Sequence, residues 1–304
     1  MKKILITLIS ISLLIPISAK AADPVPPTLA ILDTAMNTSL PIFKDNIVYE
    51  ACVLEWNSCP NGKSFMEGPG SAVMQAPYIN NNGFDHGTQM ASAAILANPN
   101  IKIVFVRIIG STLGGVRQSV GEAGLVNALN WVNANKSKFN IQAISMSQGN
   151  SYSMPGVNYC PVLSNFNATV KLLLSNEIPV FVPAGNESNY TKINWPACVP
   201  ETISIGSIDN TNGMALYSNY DPALLDFVAM GTMRLTSPEG TVGNKVGTST
   251  ATQVAAAQYV ALKIAKPNLN SIEILNLMSK TSTIARSSKH SYGKLIDLNA
   301  ALNG

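Results

Sequence analysis

The sequence predicts an α/β fold, a doubly wound, mostly parallel sheet with helices on both faces. Three observations predict it. Five short runs rich in Ile and Val recur along the chain, stretches of helical length and spacing lie between and after them, and 46% of the 304 residues are hydrophobic while only 12% are charged. Strands that alternate with helices call for a parallel sheet covered on both sides, and strands buried on both faces read as continuous apolar runs rather than alternating ones.

The chain opens with a segment that does not belong to this pattern. Lys2 and Lys3 make a positive start, Ile4 to Ile17 is an apolar run, and Ala19-Lys20-Ala21 sets small residues at the two positions a signal peptidase reads. As a helix these 14 residues would span about 21 Å, short of the roughly 30 Å hydrocarbon core, so a cleaved signal peptide over residues 1–21 is expected rather than a membrane anchor. The remaining chain, 22–304, is expected to be secreted or periplasmic, without membrane attachment.

After a Pro-rich lead, Asp23 to Pro27, the expected strands are Thr28 to Leu32, Ile101 to Ile109, Ile141 to Met146, Ile178 to Val182 and Thr202 to Ile208. The expected helices are Val120 to Asn133, Leu163 to Leu174, Ala251 to Ala265 and Ser271 to Met278. No internal repeat, low-complexity tract or charged linker divides residues 22–304, so one domain is expected.

Charge excludes a partner class. The formal net charge is +3, but Lys2, Lys3 and Lys20 all fall in the segment to be removed, leaving 17 basic against 17 acidic side chains. A neutral chain without a Lys/Arg run lacks the footprint of a phosphate-backbone binder, so no nucleic acid is expected. Export also changes how the four cysteines are read. In an oxidising compartment an even number implies disulfides, and Cys52 with Cys59, and Cys160 with Cys198, is the favoured pairing because the first pair closes a small loop of its own. A zinc site is disfavoured: there is no C-x-x-C, and only two histidines exist.

In such a sheet, reactive groups collect at the carboxyl ends of strands. Asp33 ends the first run, Ser147-Gln148-Gly149 follows the third and Ala184-Gly185-Asn186 follows the fourth. His86 precedes a helix-compatible run of small residues, and imidazole is the usual base near neutrality. Asp85 beside it reads as a helix cap, and His290 as part of a solvated loop. Ser249 lies in Gly247-Thr248-Ser249-Thr250 ahead of an Ala-rich helix, where free N–H groups and the helix dipole suit an oxyanion. Taken alone, Ser249 reads more readily as an N-cap than as a nucleophile, Asn186-Glu187-Ser188 as a chance glycosylation pattern, and Met90 and Met146 as packing.

Together these segments resemble a known family. Ile31-Leu32-Asp33-Thr34, His86-Gly87-Thr88, Pro183-Ala184-Gly185-Asn186-Glu187 and Gly247-Thr248-Ser249 resemble, in order, the four signature blocks of the subtilisin-like serine proteases, the subtilases. Ile144 to Gly149 is similar to their substrate-binding strand. The resemblance implies that Ser249 is the nucleophile, His86 the general base and then acid, and Asp33 the carboxylate that orients the imidazole; the chain order Asp, His, Ser is that of subtilisin. It further implies that Asn186 donates to the oxyanion with the Ser249 N–H, and that Ser147, Gln148, Gly149, Ala184 and Gly185 bind substrate. No catalytic metal or cofactor is implied. Structural calcium, frequent among subtilases, has no acidic cluster to be assigned to.

Departures from the family pattern fall behind the reacting groups. Ala35 stands where the family usually has Gly, Gln89 where it has a second His, and Ser92 where it has another Gly; Gln253, Val254 and Ala257 replace its Pro, His and packing Gly. Only about 11 residues separate the expected cleavage site from Asp33, so a long prosegment is not expected. The function expected is that of an exported, monomeric serine endopeptidase acting on peptides or proteins through an acyl-enzyme. The alternatives are a weakly active or inactive peptide-binding protein of the same fold, or an esterase or amidase using the same triad. The segment Gly110 to Gly121, which should border the groove, has no clear counterpart in the family pattern.

Overall fold

The computed structural model describes residues 25–75, 78–80, 83–149, 160, 163–288 and 292–304. The expected signal peptide and His290 lie outside the described residues. In chain order the strands are β1 (Thr28–Asp33), β2 (Ile47–Val53), β3 (Phe65–Glu67), β4 (Lys102–Arg107), β5 (Ile141–Met146), β6 (Val180–Pro183), β7 (Thr202–Ile208), β8 (Phe227–Met230), β9 (Thr232–Thr236), β10 (Val242–Val246), β11 (Thr283–Arg286) and β12 (Tyr292–Leu295). The helices are α1 (His86–Ala97), α2 (Glu122–Phe139), α3 (Ser164–Ser175), α4 (Thr248–Ala265), α5 (Ser271–Thr281) and α6 (Leu298–Asn303).

Ten strands form one sheet in the order β11-β12-β8-β7-β6-β5-β1-β4-β2-β3, and β9 with β10 makes a separate hairpin. Every pairing from β12 to β2 is parallel; only the outer strands β11 and β3 run antiparallel to their neighbours. The five expected strands are the contiguous centre, and each is buried on both faces except near its ends. Along β1, Leu29 and Ile31 point into a core shared with α1, α4, α5 and α6, whereas Ala30 and Leu32 point into a second core shared with α2 and α3. Helices therefore cover both faces, as continuous apolar strands require.

Helix α2 runs six residues beyond the expected end, to Phe139, and stops at Asn140, whose left-handed backbone (φ 49°, ψ 48°) is one that Asn tolerates. The Ala-rich α4 is buried almost throughout, as befits a helix without a polar face. Ala255, Ala256 and Ala257 let it lie close to the sheet, and Tyr259 packs on Phe181 with ring centroids 5.4 Å apart.

The sheet order fixes where a cleft can open. From β1 the chain builds β2 and β4 on one side, then crosses to build β5, β6, β7 and β8 on the other. That reversal lies between β1 and β5, and in open α/β sheets the crevice beyond the carboxyl ends at such a point receives ligands. Cys52 is bonded to Cys59 and Cys160 to Cys198, each with Cα atoms 5.9 Å apart. Among the described residues no helix is long and apolar enough to cross a membrane.

Candidate active site

Asp33, the last residue of β1, is wholly buried at the reversal point. Its Oδ1 accepts three hydrogen bonds, from the Thr34 N–H at 2.7 Å, from His86 Nδ1 at 2.7 Å and from Gln148 Nε2 at 3.1 Å. With Nδ1 donating to a carboxylate, the tautomer is set and Nε2 is left as the acceptor. His86 begins α1, with its side chain 27% exposed. Gly87 allows this placement: a Cβ there would stand 2.4 Å from the Ala35 carbonyl oxygen and 2.8 Å from Phe105. Thr34 completes the joint, its hydroxyl donating to Phe84 O and accepting from the Gly87 N–H.

Burial of the imidazole works to lower its pKa and is the largest single influence. The charge and hydrogen bond of Asp33 oppose it, aided by Asp85, while Arg117 adds to the lowering; the balance lies above the ordinary 6.5. Asp85 occupies the N-cap position, but its side chain caps nothing. Instead Oδ2 accepts from Gln89 Nε2 at 2.5 Å, so the expected cap is replaced by a side-chain pair one turn apart. Ala35 is not among the residues with positive φ, so Ala in place of Gly brings no backbone strain.

Ser249 is the second residue of α4, behind an N-cap formed by Gly247, so the capping role open to it in the sequence falls to another residue. It shares a cleft of about 220 Å³ with His86, Asn186, Ser147, Gln148, Gly149 and Gly185. No hydrogen bond joins the imidazole to the Ser249 hydroxyl; such contacts are commonly long in unliganded enzymes and tighten with substrate. Asn186 follows β6. Its Oδ1 accepts from Thr248 N at 2.9 Å and from Thr248 Oγ1 at 3.0 Å, and its amide NH₂ makes no hydrogen bond with other described residues.

The loop that carries Asn186 is held from beneath. Gly185 has φ +109°, and a Cβ there would meet the side-chain nitrogens of Asn219 at 2.3 Å and Asn194 at 2.4 Å. Both of those amides also donate to the Glu187 carboxylate, at 2.6 and 2.9 Å. Asn194 and Asn219 were not legible as site residues, because nothing near them in the sequence marks a ligand.

The residues expected to bind substrate divide into two groups. Gln148 and Gly149 make no main-chain hydrogen bond with other described residues and border the cleft. Ser147 turns inward: its hydroxyl donates to Ser249 O at 3.1 Å and accepts from Gln253 Nε2 at 2.9 Å. Gln253, in place of the family's Pro, thus ties α4 to the end of β5. The Gln148 side chain is engaged within the protein, joining Asp33 to Arg117, whose Nη2 donates to Gln148 Oε1. Ala184 is fully buried in the core, with its N–H on Ile205 O and its carbonyl accepting from Asn194 N, so it supports the wall of the cleft without lining it.

Residues 26–294 match the Subtilase family, Peptidase_S8. The chain belongs to the subtilase family. Among curated subtilases it is 32% identical, over 51% of its length, to the Cuticle-degrading serine protease of Arthrobotrys oligospora, and 27% identical over 72% of its length to Subtilisin NAT of Bacillus subtilis subsp. natto. These matches span 35% and 56% of the relatives' own lengths, so the chain covers about a third to a half of them. The fold is that of a cold adapted subtilisin-like serine proteinase, with TM-score 0.66 at 19% identity over 88% of this chain and 87% of that one. It is equally that of the Epidermin Leader Peptide Processing Serine Protease from Staphylococcus aureus, with TM-score 0.73 at 15% identity over 92% of this chain and 75% of that one. Among the described residues no three His, Cys, Asp or Glu side chains gather as a metal site, and calcium stays unassigned.

Proposed function

We propose that this subtilase is an exported serine endopeptidase that hydrolyses peptide bonds through an acyl-enzyme on Ser249. The observation that carries the reading is the 2.7 Å bond from His86 Nδ1 to the buried Asp33, at the edge of a cleft that also contains Ser249 and Asn186. The disulfides and the secreted character of the sequence support export.

The reaction follows from the groups present. Ser249 Oγ adds to the scissile carbonyl as His86 Nε2 takes its proton, and Asp33 stabilises the imidazolium that forms. The carbonyl oxygen becomes an oxyanion, received by the Ser249 N–H at the start of α4 and by the Asn186 amide, which Thr248 holds in orientation. Collapse breaks the C–N bond, and His86 returns its proton to the departing amine. Water then enters, gives a proton to His86 and cleaves the ester, restoring the Ser249 hydroxyl.

A fluorophosphonate probe tests the nucleophile. The wild type labels and Ser249→Ala does not; labelling that survives the substitution refutes the assignment. Cleavage of denatured protein separates a protease from an esterase, because an enzyme that hydrolyses acyl esters but no peptide contradicts the reading.

A further inference from the structure

Arg117 has no part in that reaction, yet it reaches the same cleft. Its segment, Gly110 to Gly121, folds back on itself: Thr112 N donates to Val116 O at 2.9 Å and Gln118 N to Gly110 O at 2.9 Å. Both ends are tied to the loop after β2, with Ser111 N on Ser58 Oγ at 2.9 Å and Gly121 N on Glu55 Oε2 at 2.8 Å. Held in this way, the segment brings Arg117 to the cleft that His86 lines. Nη1 passes beside Gly83, ahead of α1, where a Cβ would lie 3.3 Å from it, and Nη2 donates to Gln148.

The guanidinium also lines a second cavity, of about 250 Å³, that shares Gln148 and Gly149 with the catalytic cleft. Every other lining residue of that cavity is uncharged, Val120, Leu125 and Trp195 among them. No carboxylate of a described residue lies within ion-pair distance of Arg117. A guanidinium carries five N–H donors in a fork that matches a carboxylate, and Gln148 engages only one end of it. The side chain is exposed, so a ligand can reach it.

We propose that Arg117 is a specificity-determining residue that receives an Asp or Glu side chain of the peptide substrate, on the acyl side of the scissile bond. The inference rests on the protease reading. The acyl side follows from the cavity's position: it borders Gln148 and Gly149, the main-chain groups offered to an extended substrate, and not Asn186 or Ser249. Successive side chains of an extended peptide point to opposite sides, so a single wall reads alternate positions and one cation selects one of them.

The test compares fluorogenic peptides that differ only by Glu or Gln at each acyl-side position in turn. At one position kcat/KM for Glu exceeds that for Gln about tenfold in low salt, a difference of 1.4 kcal/mol, and the ratio shrinks as salt screens the charge. Arg117→Gln brings the ratio close to one, Arg117→Lys keeps part of it, and Arg117→Glu favours Lys at that position over Gln. A ratio near one at every position in the wild type, a ratio insensitive to salt, or a ratio retained in Arg117→Gln overturns the inference alone. Failure of the wild type to cleave any peptide, above a Ser249→Ala blank, overturns the protease reading and this inference with it. Should Arg117→Gln not fold, the wild-type salt dependence and Arg117→Lys decide.

Discussion

Replacing Asn186 by Ala removes the side-chain donor proposed to serve the oxyanion. Loss of such a donor from a subtilisin lowers kcat by about 10²–10³, or about 2.7–4 kcal/mol, and the same range is expected here. The substitution has a second effect, on stability. Thr248 N and Thr248 Oγ1 lose the acceptor they hold at 2.9 and 3.0 Å, and each neutral hydrogen bond contributes about 1 kcal/mol net. About 2 kcal/mol leaves a domain with an ordinary reserve of 5–15 kcal/mol folded at 25 °C, so unfolding cannot account for a hundredfold loss. Hydrolysis of a peptide anilide gives kcat and KM, and a thermal melt gives the stability change separately. Thr248→Val adds a graded version, since it keeps the donor but removes the hydroxyl that orients it and that accepts from Gly185 N at 3.2 Å. A loss of kcat of about tenfold is expected there, recovered by Thr248→Ser. A kcat within threefold of wild type in Asn186→Ala, or a change confined to KM, refutes the oxyanion role.

Three further perturbations follow from the geometry. The base must be neutral to accept a proton, and Asp33 holds the His86 pKa above 6.5, so kcat/KM rises with pH through a midpoint above 6.5; Arg117→Gln removes an opposing charge and moves it higher, and a shift downward contradicts the electrostatics. Gly185→Ala forces a Cβ to 2.3 Å from Asn219 at a φ of +109°, and should cost several kcal/mol in urea unfolding; an unchanged midpoint refutes the close packing. Removing the Cys160–Cys198 bond, which closes 38 residues, should cost about 4 kcal/mol by loop entropy, against about 2 kcal/mol for Cys52–Cys59, which closes 7; the reverse order in unfolding of the two double-Ser variants contradicts that account.

The centre of the sheet was legible because it is buried on both sides, so apolar continuity alone marks β1, β4, β5, β6 and β7. The outer strands were not. β2 begins half exposed, β10 is exposed over most of its length and β12 reads Tyr-Gly-Lys-Leu, so none offers such a run. Asp33, His86, Ser249 and Asn186 were legible because each lies in a short local pattern. Their supports were not: Gln148 is read from sequence only as substrate-binding and Gln253 only as a departure from the family pattern, and these two, like Asn194 and Asn219, act through contacts between residues mostly far apart in sequence. Arg117 was hidden for a further reason. Its segment owes its shape to ties with Ser58 and Glu55, which no local pattern encodes.

Helix α4 brings Ser249 to a cleft whose acid and imidazole come from the first third of the chain. Asp33 and His86 belong to β1 and α1, whereas Ser249 reaches them only through the packing of α4 on α1 and the sheet. On the proposed reading, the reacting groups meet only after α4, which lies in the last fifth of the chain, has taken its place, so reactivity comes late in folding.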